Sequence, residues 1–210
     1  MINQRKMSAF DKLFPSIPKK EWKLIHLDRE FRETKLDMKT IDGQLQLLSK
    51  VSNNGAYYTF GGFREDRSLL WEGFEGDNRM IHLGVDFNNL SPGDKVASIA
   101  DGVVFDILVD TTPFNGWGTK IIIEDEKYYY LYGHLMNTTL SINQQITSGE
   151  IIGEIASSDK NGGWFPHLHL QIMDKKELNL NIREVDGYEF VKGTVKGVID
   201  PMKLLYNKKD

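Results

Sequence analysis

The apolar positions of this chain recur in two different patterns. From Tyr57 onward, short runs follow one another: Tyr57 to Phe60, Ile81 to Phe87, Lys95 to Ala100, Gly102 to Val109, Thr119 to Glu124, Lys127 to Tyr132, Ile151 to Ile155 and His167 to Met173. Runs of this length, rich in β-branched and aromatic residues, read as strands. Between them stand Ser91-Pro-Gly-Asp94, Asp101-Gly102, Asn115-Gly-Trp-Gly118, Asp125-Glu126 and Asn161-Gly-Gly163, residues that turn a chain. The pattern predicts a mainly β domain, an antiparallel β-sandwich or open barrel. Residues 1 to 55 are patterned differently. Pro15 and Pro18 interrupt the first stretch, and Trp22 to Leu27 reads as a strand. Leu36, Ile41, Leu45 and Leu48 recur at helical spacing toward Val51, in spite of Gly43. Ser52 to Gly55 then reads as a turn. Near the far end, Asp200 caps a short helix with Pro201 in its first turn. The chain is therefore expected to divide into a partly helical N-terminal extension, residues 1–55, and a β domain, residues 56–210.

Composition narrows the class. The 210 residues, 40% hydrophobic and 27% charged, suffice for one globular domain with a sizeable core. A net charge of −4 with both signs interspersed leaves no basic stripe, so neither nucleic acid nor a membrane surface is an expected partner. Cysteine is absent, which excludes disulfides, thiol catalysis and cysteine-bound zinc. The first residues hold no apolar run of signal-peptide length, and nothing later approaches the ~18 apolar residues of a membrane span. On this reading the chain is cytoplasmic.

The histidines change the picture most. Of five, one opens His82-Leu-Gly-Val-Asp86, two form His167-Leu-His169, and His134 follows Tyr132-Gly133. Residues two apart share one face of a strand, so if His167 or His169 binds a metal, the other faces the same cleft. His82 and Asp86 also share a face, but a straight strand would hold them roughly 13 Å apart at ~3.3 Å per residue. To meet at one ion the chain must bend between them, and Gly84 is the residue able to permit it. A catalytic zinc site takes three protein ligands and keeps a position open, a demand this set can meet. His26 has no partner motif and reads as an ordinary surface or packed histidine. Tyr132, close to His134, is a candidate for lining the cleft. Asp125 or Glu124 is a candidate for orienting a histidine, and Arg79 for binding a substrate carboxylate.

His82-Leu-Gly-Val-Asp86, Tyr132-Gly-His134-Leu and Pro166-His-Leu-His169-Leu-Gln-Ile172, in that order, resemble the motifs of the lysostaphin-type zinc endopeptidases. Pro92-Gly-Asp-Lys-Val96, Asp101-Gly-Val103 and Gly116-Trp-Gly118 extend the resemblance over residues 57 to 173. It implies a small antiparallel β domain whose groove holds zinc, with His82, Asp86 and His169 as ligands. His134 and His167 would be the unliganded catalytic pair. The implied activity is hydrolysis of peptide bonds by metal-activated water, in a peptidoglycan-type or glycine-containing peptide. The closing motif usually carries Glu where this chain has Gln171. The stretch from Tyr58 to Arg67, with Gly163-Trp-Phe-Pro166, is more similar to an intracellular-looking branch. The alternative is a non-enzymatic peptide-binding or regulatory module on the same fold. A phosphocarrier-like β domain also pairs histidines but has no use for Asp86.

Overall fold

The computed structural model describes residues 8–32, 34, 36–52, 58–72, 80–110, 112 and 116–206. Among these the chain forms α1 (Ala9–Leu13), β1 (Trp22–Ile25), α2 (Leu27–Arg32), α3 (Ile41–Val51), β2 (Tyr58–Gly61), β3 (Ile81–His82), β4 (Val85–Asn88) and β5 (Lys95–Ala97). Then come β6 (Gly102–Asp110), β7 (Gly118–Glu124), β8 (Tyr128–Met136), β9 (Gln145–Ile146), β10 (Ile151–Ile155) and β11 (Leu168–Asp174). β12 (Tyr188–Glu189), β13 (Val198–Ile199) and α4 (Pro201–Leu205) complete the order. The fold is mainly β, as the alternating runs predict.

One sheet runs β1-β2-β4-β11-β8-β7-β6-β9, with β10 bridging β5 to β8 and β13 lying on β11. β3 and β12 pair separately. The sheet is antiparallel apart from β1, which runs parallel to β2 with Trp22 opposite Tyr58. The predicted run Ile81 to Phe87 divides at Leu83 and Gly84. The Leu83 N–H donates to the Gly187 carbonyl, and the chain passes from pairing with β12 to pairing with β2 and β11. β-Branched residues fill the central strands: Ile121, Ile122 and Ile123 in β7 are fully buried, so both faces of that strand are covered.

Two apolar clusters set the position of the N-terminal segment. Phe10, Phe14 and Trp22 join the main core beside Val85, Phe87, Leu170 and Ile172. Phe10 meets the edge of Phe87 at 5.8 Å, and Phe14 stacks on Trp22 at 4.9 Å. Burying each such ring contributes on the order of 1.5–3 kcal/mol. A second cluster joins Ile25, Leu27, Met38, Leu47, Leu48 and Val51 to Leu70, Trp71, Trp164 and Phe165. The helix expected to run from Leu36 begins at Ile41, because Thr40 caps it by accepting from the Gly43 N–H at 3.0 Å. Gly43 is required there: a Cβ would lie 2.0 Å from the Asp37 carbonyl oxygen. The expected turn at Ser52–Gly55 falls, beyond Ser52, outside the described residues, as does Arg79. Among the described residues no helix is long and apolar enough to cross a membrane.

Candidate metal centre

Three adjacent strands and the separately paired β3 assemble the site. Asp86 on β4 is the cross-strand partner of His169 on β11, which in turn faces Gly133 on β8, next to His134. His82 comes from β3, where its partner is Tyr188. His82 Nε2 lies 3.0 Å from His169 Nδ1. Asp86 Oδ1 lies 3.3 Å from the first nitrogen and 3.1 Å from the second. His167, just ahead of β11, brings its Nε2 to 4.0 Å from the same oxygen. All five residues singled out by the motifs thus meet in one place, buried.

The hydrogen bonds around this cluster fix which atoms are free. His82 Nδ1 lies 3.0 Å from the Gly62 carbonyl oxygen, which only accepts, so the proton is on Nδ1 and Nε2 presents a lone pair. His169 Nε2 donates to Gln171 Oε1 at 3.1 Å, which leaves Nδ1 as the lone-pair atom. Asp86 Oδ2 accepts from Arg67 Nη1 at 2.7 Å. Two lone pairs and a carboxylate oxygen therefore converge with no proton between them, an arrangement a cation relieves. Donors bound at about 2.1 Å to a tetrahedral ion sit about 3.4 Å apart, close to the spacings here. Burial, with Arg67 adding to it, pushes His82 down to about 3, so the ring stays neutral as a ligand must. Burial opposes the charge of Asp86, but His82 and Arg67 outweigh it and hold the carboxyl well below its usual range. The residues fit a divalent ion of the zinc type.

Close packing holds these rings in place. A Cβ on Gly84 would lie 2.5 Å from His169 Nε2, so this glycine makes room for the ring, and the division of the strand comes from the change of pairing partner. His134 has φ of 63°, in the left-handed region that a non-glycine residue adopts at a cost. Its backbone N–H donates to the Trp117 carbonyl at 2.7 Å, and its ring stacks on the Trp117 indole at 5.8 Å. His134 Nδ1 donates to the Asn161 carbonyl at 3.3 Å, and His167 Nδ1 to the Phe165 carbonyl at 2.7 Å. The two rings lie 4.3 Å apart, each with Nε2 as its lone-pair atom. Burial, and for His134 the neighbouring His167, holds both below the usual imidazole range; for His167, Asp86 works in the opposite direction.

Several supporting residues carry no sequence signal. Arg67 is buried, with Nε on Glu65 Oε2 at 3.2 Å and Nη1 shared between Asp86 and the Tyr188 hydroxyl. Tyr188 packs its ring on His82 at 5.0 Å. Tyr132, by contrast, belongs to the core and not to the cleft: its hydroxyl accepts from the Ile99 N–H at 3.0 Å. Asp125 accepts from the Tyr130 hydroxyl, and Glu124 from Lys175, so neither takes the expected part of orienting a histidine.

The cavity above the histidines is roofed by the N-terminal segment through Leu27, Met38, Gln44, Leu47 and Leu48, with Trp71, Trp164 and Phe165 beside them. Gln44 Oε1 accepts from the Phe165 N–H at 2.9 Å, and its Nε2 donates to the Met38 carbonyl at 2.9 Å. Under this roof even His134, the most accessible of the four, is only 8% exposed.

Residues 80–181 match the family described as Peptidase family M23. Among solved structures, the chain is similar to the catalytic domain of the antimicrobial peptidase lysostaphin from Staphylococcus simulans, at 25% identity, TM-score 0.45, over 70% of this chain and 92% of that one. It is similar to lysostaphin itself at 25% identity and TM-score 0.43, over 59% of this chain and 43% of that one. A zinc containing peptidase from Vibrio cholerae matches at 26% identity and TM-score 0.38, over 46% of this chain and 28% of that one. The chain thus spans less than half the length of these last two. No curated protein matches. Residues 80–181, just under half of the chain, thus carry the match to peptidase family M23, the lysostaphin-type metallopeptidases, hydrolases that act on peptide bonds.

Proposed function

We propose that the chain is a zinc-dependent endopeptidase, with His82, Asp86 and His169 as the metal ligands and His134 and His167 as the catalytic pair. On this reading residues 56–210 are the catalytic unit and residues 1–55 an extension that covers it. The observation that carries the reading is the convergence of His82 Nε2, His169 Nδ1 and Asp86 Oδ1, with the ring protons directed elsewhere by Gly62 and Gln171. When bound there, an ion of the zinc type supplies an activated water near neutral pH and an electrophilic pull on a carbonyl.

The chain's own groups do the rest. His134 and His167 each keep Nδ1–H on a backbone carbonyl, so each Nε2 starts as an acceptor. Such an atom takes the proton from the attacking water. As an imidazolium it then gives that proton to the departing amine nitrogen or donates to the developing oxyanion. The carbonyls of Asn161 and Phe165 favour the imidazolium, since each holds an N–H that becomes more acidic. Asp86 is kept from competing for the proton by Arg67. For substrate, the proposal is a peptidoglycan-type or glycine-containing peptide, following the lysostaphin-like motifs.

The test is digestion of a peptide library by the zinc-loaded chain, read by mass spectrometry. Cleavage that disappears on chelation and returns with zinc supports the reading. Cleavage indifferent to chelation contradicts it.

A further inference from the structure

We propose a second cation site, made by His26, Asp28 and Glu65, that ties the covering segment to the loop supporting Asp86. His26 and Asp28 flank the first residue of α2, and Glu65 lies in the loop after β2, two residues before Arg67. One ligand atom from each of the three falls within 4.8 Å of the others. His26 Nδ1 is 3.5 Å from Glu65 Oε1. That is long for a hydrogen bond but close to the ~3.4 Å between two donors on a tetrahedral ion with bonds of about 2.1 Å.

The unpartnered atom is what points to a ligand. The Glu65 side chain is only 7% exposed, and its Oε2 is taken by Arg67 Nε. Its Oε1 accepts no hydrogen bond, yet it is the atom turned toward His26. A buried carboxylate oxygen left without a donor is costly, and a cation removes the cost. Charge favours the same conclusion. Two carboxylates meet here, while Arg67 is shared with Asp86 and Arg32 stays 3.9 Å from Asp28. The His26 side chain is 50% exposed, so solvent can complete the coordination. One imidazole and two carboxylates suit a divalent ion of the zinc type.

The placement gives the site a consequence. From α2 the segment runs through Leu27 and Met38 to α3, the roof over the catalytic cavity. An ion joining His26 and Asp28 to Glu65 fastens the start of that roof to the residue that orients Arg67. No sequence spacing relates His26 to Glu65, which is why the histidine reads as ordinary in the linear chain.

The experiment is zinc titration of the metal-stripped full chain, with bound zinc counted per chain after removal of free ion. His26→Ala and Asp28→Asn are each expected to bind one zinc fewer than the unaltered chain, and Asp86→Ala to lose a different one, so that His26→Ala with Asp86→Ala loses both. A His26→Ala chain that binds as much zinc as the unaltered one overturns the proposal. Full zinc in Asp86→Ala alone would instead overturn the catalytic assignment and leave this site standing. Hydrogen exchange gives a second reading. Zinc should slow exchange in residues 26–51 of Asp86→Ala but not of Asp86→Ala with His26→Ala; equal exchange in the two overturns the proposal.

Discussion

Arg67 donates from Nη1 to Asp86 Oδ2 at 2.7 Å, with each side chain 3% exposed, so Oδ1 is the oxygen turned toward His82 and His169. The guanidinium also reaches Glu65 and the Tyr188 hydroxyl, which leaves it little freedom to rotate. With Asp86 as the proposed ligand, Arg67 acts on the metal site by positioning it. Partners of this kind govern metal affinity by about 10- to 100-fold. Arg67→Met should weaken zinc binding at the His82 site by that amount. Arg67→Lys, which keeps the charge but not the fork, should fall between. Competition against a fluorescent chelator measures this, and unchanged affinity in Arg67→Met would remove Arg67 from the account.

Gln171 holds the far nitrogen of His169 with a neutral amide. A carboxylate in the same place attracts the N–H more strongly and makes Nδ1 a better donor to metal. Gln171→Glu should therefore raise zinc affinity, and Gln171→Leu should lower it by roughly 10- to 100-fold. The same chelator competition reads both. An order of Leu above Gln above Glu would show that the bond does not act on the ring.

The roof gives a prediction about activity. Deleting residues 1–50 would strip Phe10, Phe14 and Trp22 from the main core and β1 from the sheet, so point changes are the better probe. Gln44→Ala leaves the Phe165 N–H without its acceptor in the covered state, a loss of about 1–3 kcal/mol. The open fraction should then rise by roughly 5- to 150-fold. Peptide kcat/KM should increase with no change in zinc content. Equal or lower kcat/KM in a folded Gln44→Ala chain would mean that the roof does not limit access.

The buried imidazoles predict a pH dependence for the metal-free chain. Burial takes His82 from 6.5 to about 3, and His134 and His167 are also lowered. Unfolded, these rings take protons near 6.5; folded, they do not until lower pH. Below 6.5 the unfolded chain therefore binds more protons, and stability is lost as pH falls from about 6.5 toward 3. Asp86, also lowered, adds to the loss below its ordinary 3.8. Calorimetry of stripped protein between about pH 7.5 and about pH 5 should show a falling Tm. A flat profile over that range would mean that the rings are already charged in the fold.

Much of this arrangement is written locally in the chain. A strand period of two puts His167, just ahead of β11, on the same side as His169 within it, and turn residues punctuate the strands, so the β fold and the five residues that meet in the candidate site are legible in the linear chain. What is not legible depends on distant contacts. Arg67 and Tyr188 meet across 121 residues, as do Gln44 and Phe165. No spacing announces such pairs. The left-handed backbone of His134 is equally hidden, because it follows from its bond to Trp117 and not from its own preference. Tyr132 misleads for a related reason. Gly133 is the residue opposite His169, and Tyr132 is opposite Leu170, so strand alternation turns the tyrosine ring away from the metal site.

Zinc content and peptide cleavage, measured on the same samples, decide whether His82, Asp86 and His169 hold the metal while His134 and His167 move protons. Asp86→Ala and His169→Ala should each lose one zinc per chain together with cleavage. His134→Ala and His167→Ala should keep the zinc of the unaltered chain and slow cleavage by about 10²- to 10⁴-fold. Full zinc in Asp86→Ala, or cleavage at the unaltered rate in both His134→Ala and His167→Ala, would contradict the account.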